Sequence, residues 1–382
     1  MRIAHIESSM HWGGQELRIV EQTEWLNGHN HPTWIIARPG AAIVEKAQEK
    51  SLPVYQMPIR GAFNVNTLRK LRRFLDFQGI EIMDCHGSRD ATYGAYIRWL
   101  TGLPVVRSRH IIDPIRSDRF NRLIWRHGNN GIIVTAKAIR DDIIKSGLNS
   151  QDKIFVAEAG VDEKRFHPQI DGAKLRHRLG IPLHHLVIAN IGMIRADKGQ
   201  LQFIHACRHL LAKHKNITCI QIGEAPSHSI SYKKKVVEAA NKYPTQGCIR
   251  FLGYKPDIEN WLALADVIII ASIGTEAKTR LVSQAFLMKK NIVATNVGGL
   301  PEMIEHQKTG LLCPANNPGA LAEAVEQLID NKPFAQHLCE NAYQYAQQTL
   351  TFGRMMNGML YTYEKGIAAA QKPLNNRSIF IP

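Results

Sequence analysis

The chain has 382 residues, of which 45% are hydrophobic and 21% charged, with a formal net charge of +15. This length predicts two domains that each bury their own core, and the composition excludes a disordered chain. No apolar run approaches the roughly 18–20 residues that cross a bilayer, and the start lacks the continuous apolar segment of a secretory signal. Six scattered cysteines without C-x-x-C pairs predict buried thiols in a reducing cytoplasm, not a disulfide or zinc framework.

The excess of positive charge, with a pI near 9.6, calls for an anionic partner or surface. Nucleic acid, an anionic membrane face and phosphorylated small molecules are the candidate partners. The sequence has no nucleic-acid-binding fold signature and no aromatic-plus-glycine RNA motif, so nucleic acid is not expected as a partner.

The first half of the chain alternates short apolar runs with longer amphipathic segments. The apolar runs predict strands at residues 2–6, 33–37, 80–85, 105–109 and 131–135. The amphipathic segments predict a helix that ends near residue 26 and others at 42–50, 66–78, 91–101 and 136–146. Strands that alternate with helices predict a parallel sheet with right-handed crossovers.

Glycines and histidines follow several of these predicted strands. Gly13 and Gly14 lie between the first strand and the first helix, where glycine lets backbone N–H groups approach a phosphate. Such a pair is more often simply a turn. His86 and His110 each follow a strand directly, which places them at one edge of the sheet, although a single histidine is usually an ordinary polar side chain.

Two basic segments, at residues 66–77 and 117–127, carry cations between apolar side chains. The cations are Arg69, Lys70, Arg72, Arg73, Arg119, Arg122 and Arg126, and the apolar residues are Leu68, Leu71, Leu75, Phe120, Leu123 and Trp125. This mixture suits an anionic membrane surface or a phosphorylated, lipid-linked acceptor. The same mixture suits amphipathic helices that pack their apolar side chains on their own sheet while the arginine head groups reach the solvent. The two interpretations are compatible.

The second half begins a new alternation of strands and helices. Its strands are predicted at residues 186–192, 218–223, 249–252, 267–271, 291–295 and 310–313. The isoleucine run at 268–270 predicts a strand buried on both faces, and a helix is predicted at about 279–289. Gly298, Gly299 and Pro301 then mark a tight turn into another helix. Polar side chains therefore gather at the carboxyl ends of parallel strands, the edge at which such sheets bind ligands.

Within this region, Ser272, Glu276, Gln284 and the run Gly298-Gly299-Leu300-Pro301-Glu302 resemble the donor-site signature of retaining family 4 glycosyltransferases. The signature usually has a second glutamate where this chain has Gln284. In the family, the first carboxylate faces the donor sugar and the second binds the ribose hydroxyls of the nucleotide. Taken singly, Glu276 or Gln284 would equally suit a solvated helix.

The loop after the strand at 186–192 resembles the family's glycine-arginine…lysine-glycine loop, whose two cations hold the nucleotide diphosphate. Lys198 matches the lysine. Met193 occupies the usual arginine position, and Arg195 stands two residues later as its substitute. A solvated loop lysine is the alternative for Lys198.

The resemblance also assigns residues beside the donor-site helix and in the first domain. Thr279 and Arg280 match a pair common in the family, and Lys278 precedes them. Cations at a helix start oppose its dipole unless an anion binds, and a solvated basic loop is the alternative. His110 falls where the family keeps a histidine near the reacting sugar. The loop of Gly13 and Gly14 matches one that the family places against donor and acceptor.

The resemblance implies a GT-B fold, an α/β architecture of two Rossmann-like domains that face a central cleft. We predict an acceptor-side domain at residues 1–167 and a nucleotide-sugar-binding domain at 168–350. The boundary follows Gly160-Val161-Asp162 and Phe166, which resemble the family's entry into the second domain. Residues 351–371 are predicted to form a helix that crosses back to the first domain, and 372–382 a loose tail.

The implied function is retaining transfer of a sugar from a nucleotide diphosphate sugar to a cell-envelope glycan, such as a lipopolysaccharide core or lipid-linked oligosaccharide. The predicted location is the cytoplasm, including the anionic inner-membrane surface. No cofactor is expected, and no metal, because the chain lacks an Asp-x-Asp pair that could hold one against the diphosphate. Two alternatives stay open: a nucleotide-sugar epimerase on the same fold, and a degenerate non-catalytic partner subunit. Gln284, Met193 and Ala277 in place of the usual glycine favour the latter.

Overall fold

The computed structural model describes residues 1–61, 63–110, 115, 118–157, 160–242, 247–274, 276 and 279–371. The chain divides into two compact units, one of Met1–Ala157 with the chain from Met356, and the other of Glu158–Met355. The first division precedes the predicted boundary at residue 167, because Val161 forms a parallel bridge with Thr351 and Phe166 packs in the core of the second unit.

The first unit contains a seven-stranded parallel sheet. Its strands are β1 (Ile3–Glu7), β2 (Thr33–Ala37), β3 (Val54–Gln56), β4 (Ile82–Cys85), β5 (Val105–Arg109), β6 (Gly131–Val134) and β7 (Ile154–Val156). Its helices are α1 (Gly14–Gly28), α2 (Ala42–Glu49), α3 (Val65–Gln78), α4 (Ser88–Thr101), α5 (Arg119–His127) and α6 (Lys137–Lys145). The order is β3-β2-β1-β4-β5-β6-β7, so the strand order reverses beside β1 and β4. Ligands of such sheets bind at this reversal.

The second unit contains a six-stranded parallel sheet in the same style. Its strands are β8 (Leu186–Ile191), β9 (Ile217–Ile222), β10 (Ile249–Phe251), β11 (Val267–Ile270), β12 (Asn291–Thr295) and β13 (Leu311–Cys313). Its helices are α7 (Ala173–Arg178), α8 (Gln200–Lys213), α9 (Ile230–Ala240), α10 (Ile258–Leu264), α11 (Arg280–Leu287), α12 (Leu300–Met303), α13 (Pro318–Asp330) and α14 (Lys332–Thr349). The order β10-β9-β8-β11-β12-β13 reverses beside β8 and β11.

The C-terminal helix α15 (Phe352–Gln371) supplies buried side chains to the first unit. Met356, Met359 and Tyr363 are at most 1% exposed. Gly358 lies so close to Phe155 that a Cβ would stand 2.1 Å from the ring. Residues from the far end of the chain therefore complete the core of the first unit.

The two parallel sheets confirm the predicted pair of Rossmann-like α/β domains. The strands predicted at 33–37, 105–109 and 291–295 coincide with β2, β5 and β12. The edge strands β3 and β7 were not predicted, because each has three residues and is only partly buried, so neither forms a clear apolar run. All six cysteines are free. None of the described helices combines the length and hydrophobicity needed to cross a membrane.

Candidate functional site

The carboxyl ends of β8 and β11 bring Lys198 and Glu276 together. Lys198 ends a single 3₁₀ turn after β8, and Glu276 lies in the loop after β11. The Lys198 Nζ is 2.7 Å from both carboxylate oxygens of Glu276. The Ser272 hydroxyl donates to the Glu276 Oε2 at 2.5 Å. Only 7% of the Glu276 side chain is exposed, so its charge depends on the ammonium beside it.

Two glycines allow the backbone to close around this pair. Gly199 has a φ of 65°, and a Cβ there would lie 1.8 Å from the Ala271 carbonyl oxygen. Gly298 has a φ of 56°, and its Cβ would lie 2.2 Å from the Glu276 carbonyl oxygen. Gly299 donates its N–H to the same oxygen at 2.7 Å. Gly298 and Gly299 therefore hold the Glu276 backbone, and Gly199 packs against Ala271 after β11, in contacts that a side chain at Gly199 or Gly298 would block.

Arg195 lies in the same loop as Lys198 but pairs with a neighbour. Its guanidinium donates to both carboxylate oxygens of Asp197, with the Nε 3.0 Å from Oδ1. This hydrogen bond raises the pKa of Arg195. A phosphate at this loop would therefore compete with Asp197 for the Arg195 guanidinium. Met193, in the usual arginine position of the family, is 53% exposed.

The remaining predicted donor residues belong to the start of α11. The Thr279 hydroxyl caps the helix by accepting a hydrogen bond from the Leu281 N–H at 3.3 Å. Arg280 is the first helical residue, and Gln284 lies one turn later, partly buried. The Gln284 amide forms no side-chain hydrogen bond within the described ranges. Lys278 lies outside the described residues.

The first unit has a cavity of about 410 Å³ at the carboxyl ends of β1, β4 and β5. The charged and imidazole side chains that line it are Glu7, Glu16, His86, Arg89, Arg107, Arg109 and His110. Both signs of charge meet there, which suits a polar ligand that carries hydroxyl groups and an anionic group.

Glu7, which lines this cavity, and the buried Asp90 behind the lining residues Ser8 and Gly87 both have a raised pKa. Burial, followed by the nearby Asp90 charge, raises the pKa of Glu7 to about 7. Burial raises the pKa of Asp90 to about 6. One Asp90 carboxylate oxygen accepts the N–H groups of Gly87 at 2.8 Å and Ser8 at 3.2 Å. Proton occupancy of these two carboxyl groups therefore changes near neutral pH.

Glu7, Asp90 and Arg107 were not predicted as site residues. Their sequence signal is a charged residue within a buried strand, for Glu7 and Arg107, or in the first turn of a helix, for Asp90. The Arg107 guanidinium lies 3.5 Å from the centre of the Trp125 ring, and burial lowers its pKa to about 9. Trp125, one of the apolar residues of the second basic segment, is buried at 1% exposure against this cation, as expected where the helix packs on its own sheet.

His110 lies at this cavity and is connected to two buried histidines. His86 Nδ1 is 3.0 Å from His110 Nε2, and His86 Nε2 is 2.9 Å from His5 Nδ1. Burial lowers the pKa of His5 and of His86 to about 3, and that of His110 well below its ordinary value. All three rings are therefore neutral at physiological pH.

Among the described residues, His5, Asp84 and His86 have ligand atoms close enough together, within 4.8 Å, to be tested as a metal site. Their imidazole nitrogens are 2.9 Å apart, a hydrogen-bond length shorter than the about 3.3 Å between ligands of a tetrahedral zinc ion. The Asp84 Oδ2 is 3.8 and 3.9 Å from the two rings. It already accepts hydrogen bonds from the Ser108 and Tyr363 hydroxyls at 3.0 and 2.6 Å. This geometry fits a shared proton better than a metal ion.

Gly13 and Gly14 stand at the start of α1. Gly13 is the N-cap residue, with an extended φ of −158°. Gly14 has no atom within 4 Å of the position that a Cβ would take. The backbone does not require glycine at either position, and their contact with a phosphate stays a prediction.

The predicted basic residues of α3 and α5 lie on the surface. Arg69, Lys70, Arg72, Arg73, Arg119 and Arg122 are exposed. Leu71 and Leu75 are buried in the core of the unit, as expected of a helix that packs on its own sheet. Exposed Phe63, Trp99 and Phe120 surround the Tyr96 ring at 5.1, 5.9 and 6.5 Å. We call these six cations and four aromatic residues the aromatic–basic surface.

Comparison with known proteins identifies both units. Residues 12–165 match the family model described as Glycosyltransferase Family 4, and residues 171–345 match Glycosyl transferases group 1. Each unit therefore carries a glycosyltransferase domain.

One curated relative is a D-inositol 3-phosphate glycosyltransferase of Corynebacterium kroppenstedtii, 26% identical over 251 residues, or 64% of this chain and 53% of the relative. Another, of Corynebacterium aurimucosum, is 29% identical over 66% of this chain and 58% of the relative. The chain thus matches somewhat more than half the length of these relatives. Anabaena Alr3699/HepE, solved in complex with UDP, superimposes with a TM-score of 0.82 at 20% identity, over 95% of this chain and 100% of that one. This likeness shows a GT-B fold.

Substituting Gly199 with alanine should disrupt the second unit far more than the same change at Gly180. Both glycines have a positive φ, 65° and 60°, but a Cβ on Gly180 meets nothing within 4 Å. We expect Gly180→Ala to cost about 1 kcal/mol from backbone strain alone, and Gly199→Ala about 3 kcal/mol or more, because backbone must move. Urea denaturation, monitored by hydrogen exchange of peptides from β8 and β11, measures the loss of unfolding free energy in both variants. Equal costs would contradict the close approach at Ala271.

Proposed function

We propose that this chain, whose two units are both glycosyltransferase domains, transfers a sugar from a nucleoside diphosphate sugar with retention at the anomeric carbon. The proposed acceptor is a cell-envelope glycan, such as a lipopolysaccharide core or a lipid-linked oligosaccharide. The proposed place of action is the cytoplasmic face of the membrane.

The partly buried Lys198–Glu276 pair is the observation that carries this proposal. It lies in the unit that matches the group 1 model, at the sheet edge where open α/β folds bind nucleotides. When the sugar leaves, the diphosphate gathers negative charge, and the Lys198 ammonium is positioned to stabilise it. Arg195 and the N–H groups at the start of α11 would add to this stabilisation.

The chemistry requires no separate base in this proposal. The departing phosphate accepts the proton of the acceptor hydroxyl on the same face of the sugar, so the protein contributes position and electrostatic stabilisation. No metal ion is assigned to the diphosphate, because the cations proposed to neutralise it are Lys198 and Arg195.

The first unit supports the acceptor side of the proposal. Its cavity offers carboxylates for hydroxyl groups and the guanidinium groups of Arg89 and Arg109 for an anionic group. The inositol phosphate named for the corynebacterial relatives shares this chemistry, so it belongs in any acceptor panel. UDP is the first nucleotide to test, since the Anabaena neighbour was solved with it.

The aromatic–basic surface supports attachment to an anionic membrane. Aromatic rings partition to the interfacial region of a bilayer, and cations beside them are attracted to anionic lipid. This surface carries both in the same unit.

Lys198→Ala should lower the transfer rate by about 10²–10³, because the developing diphosphate charge loses its counter-charge. The same change leaves the buried Glu276 carboxylate unpaired, which should cost about 3 kcal/mol of stability. The double variant Lys198→Ala/Glu276→Gln should recover most of that stability without recovering transfer. Rates with a panel of nucleotide sugars and urea denaturation separate the two effects.

Lys213→Ala is the matched control for this series, since Lys213 also pairs with a glutamate, Glu326, but is 64% exposed. It should change stability and rate little. Near-normal transfer by folded Lys198→Ala would overturn the assignment. Formation of an epimerised sugar in the absence of any acceptor would identify an isomerase instead.

Gln284→Glu should tighten nucleotide binding by about 1 kcal/mol if Gln284 contacts the ribose, because a carboxylate accepts hydroxyl hydrogen bonds more strongly than an amide. Weaker binding would still place Gln284 at the nucleotide, with a neighbour adapted to the amide. Calorimetry with UDP makes the measurement, and Gln327→Glu on the exposed face of α13 controls for the added charge. Unchanged affinity would exclude the contact.

Replacing Arg69, Lys70, Arg72 and Arg73 with glutamine should weaken sedimentation with phosphatidylglycerol vesicles at least tenfold, since each cation contributes about 1 kcal/mol near an anionic surface. Binding should also fall as salt rises. Transfer to a short soluble acceptor should change little. The control replaces four exposed cations of the second unit: Lys174, Arg178, Lys234 and Lys235. If both variants lost vesicle binding equally, the effect would come from net charge and not from this surface.

A further inference from the structure

Three histidine rings form a connected series that ends at the cavity of the first unit. His5 lies within β1, His86 directly follows β4, and His110 directly follows β5. The two contacts, of 2.9 and 3.0 Å, use both ring nitrogens of His86. A neutral imidazole carries one N–H and one acceptor nitrogen, so each contact requires one ring to donate and the other to accept.

His5, the ring farthest from the cavity, determines which ring donates and which accepts in each contact. His5 Nε2 is buried and has no hydrogen-bond partner within the part of the chain that the structure describes. A proton on that nitrogen would leave a buried N–H unpaired, which is costly. With the proton on Nδ1 instead, His5 donates to His86 Nε2, and His86 in turn donates from its Nδ1 to His110 Nε2.

This direction assigns the proton of His110. Because its Nε2 accepts from His86, the single N–H of the neutral His110 ring is on Nδ1. The Nε2 lone pair is occupied, so the ring has no acceptor left for a ligand in the cavity that His110 lines. His110 can donate a hydrogen bond there but cannot remove a proton.

We propose that His5 and His86 are positioning residues that fix His110 as a neutral hydrogen-bond donor, through Nδ1, to an acceptor oxygen of the bound sugar or glycan. The proposal rests on the function proposed above for its ligand, although the arrangement of protons does not. The Asp84 carboxylate, 3.8 Å from His5 Nδ1 and 3.9 Å from His86 Nε2, stabilises the proton that these rings share.

Tyr363 and Ser108 support the series by positioning Asp84. Their hydroxyls donate hydrogen bonds to the Asp84 Oδ2 at 2.6 and 3.0 Å. In both bonds Asp84 is the acceptor, and they hold its carboxylate beside the contact between His5 and His86. The chain therefore supplies a rigid, buried support for one imidazole at the cavity.

The test is ¹⁵N NMR of the full chain labelled at histidine, where the two ring nitrogens of each tautomer have distinct shifts. We expect His110 in the Nδ1–H form in the wild type, with no ligand added. In His86→Ala, which removes the donor, the Nδ1–H population of His110 should fall. In His86→Asn, whose amide N–H can replace the Nδ1–H of His86, it should be retained.

Transfer kinetics give the second readout. We expect His86→Ala to lose about 10² in kcat with a smaller change in KM, and His86→Asn to stay within about tenfold of the wild type. His209→Ala, which removes a histidine of the second unit, is the control for both measurements.

The proposal is overturned if wild-type His110 carries its proton on Nε2, or if His86→Ala leaves its tautomer unchanged. Stoichiometric metal bound by the wild type and lost in His86→Ala would also overturn it. Should His86→Ala fail to fold, the wild-type spectrum and His86→Asn still decide. Failure of the proposed function is a separate result, seen as absence of nucleotide binding while the His110 tautomer is as expected.

Discussion

The ion pair between Lys198 and Glu276 is the interaction around which the sheet edge of the second unit is arranged. A carboxylate this deeply buried is tolerated only with its counter-charge and the Ser272 hydroxyl in place. A buried ion pair adds little net stability over apolar side chains of similar size. The close backbone contacts at Gly199 and Gly298 therefore serve to position the charged side chains and not to stabilise the fold.

The first unit handles charge in a different way. At the ends of β1, β4 and β5 it buries carboxyl, imidazole and guanidinium groups together. Burial raises the pKa of the carboxyl group of Glu7 and lowers the pKa values of His5 and Arg107, which in each case favours the neutral form. Hydrogen bonds to backbone N–H groups and hydroxyls then hold these groups in place. The second unit thus presents a fixed charge pair, whereas the first combines charged groups with neutral imidazoles that have defined directions for donating and accepting.

Sequence alone predicted the two sheets, but not the partners of the side chains at their edges. Buried parallel strands such as β11 are recognisable because both faces are apolar. Lys198 and Glu276 are selected through the family resemblance, and the structure brings these two side chains into contact. The pairing of Arg195 with Asp197 depends on the turn that the loop takes. The raised pKa of Glu7 depends first on burial and then on the charge of Asp90, which is distant in sequence and becomes a neighbour only when β1 and β4 pair. Tertiary proximity of this kind leaves no local pattern.

The first unit is assembled from two pieces of chain that leave the ribosome far apart in time. Residues up to Ala157 are synthesised first, whereas Met359 and Tyr363 follow only after the whole second unit. Until Tyr363 arrives, Asp84 lacks one of its two hydroxyl donors and the core beside Phe155 stays open. The core of the first unit can therefore be completed only after the whole of the second unit has been synthesised.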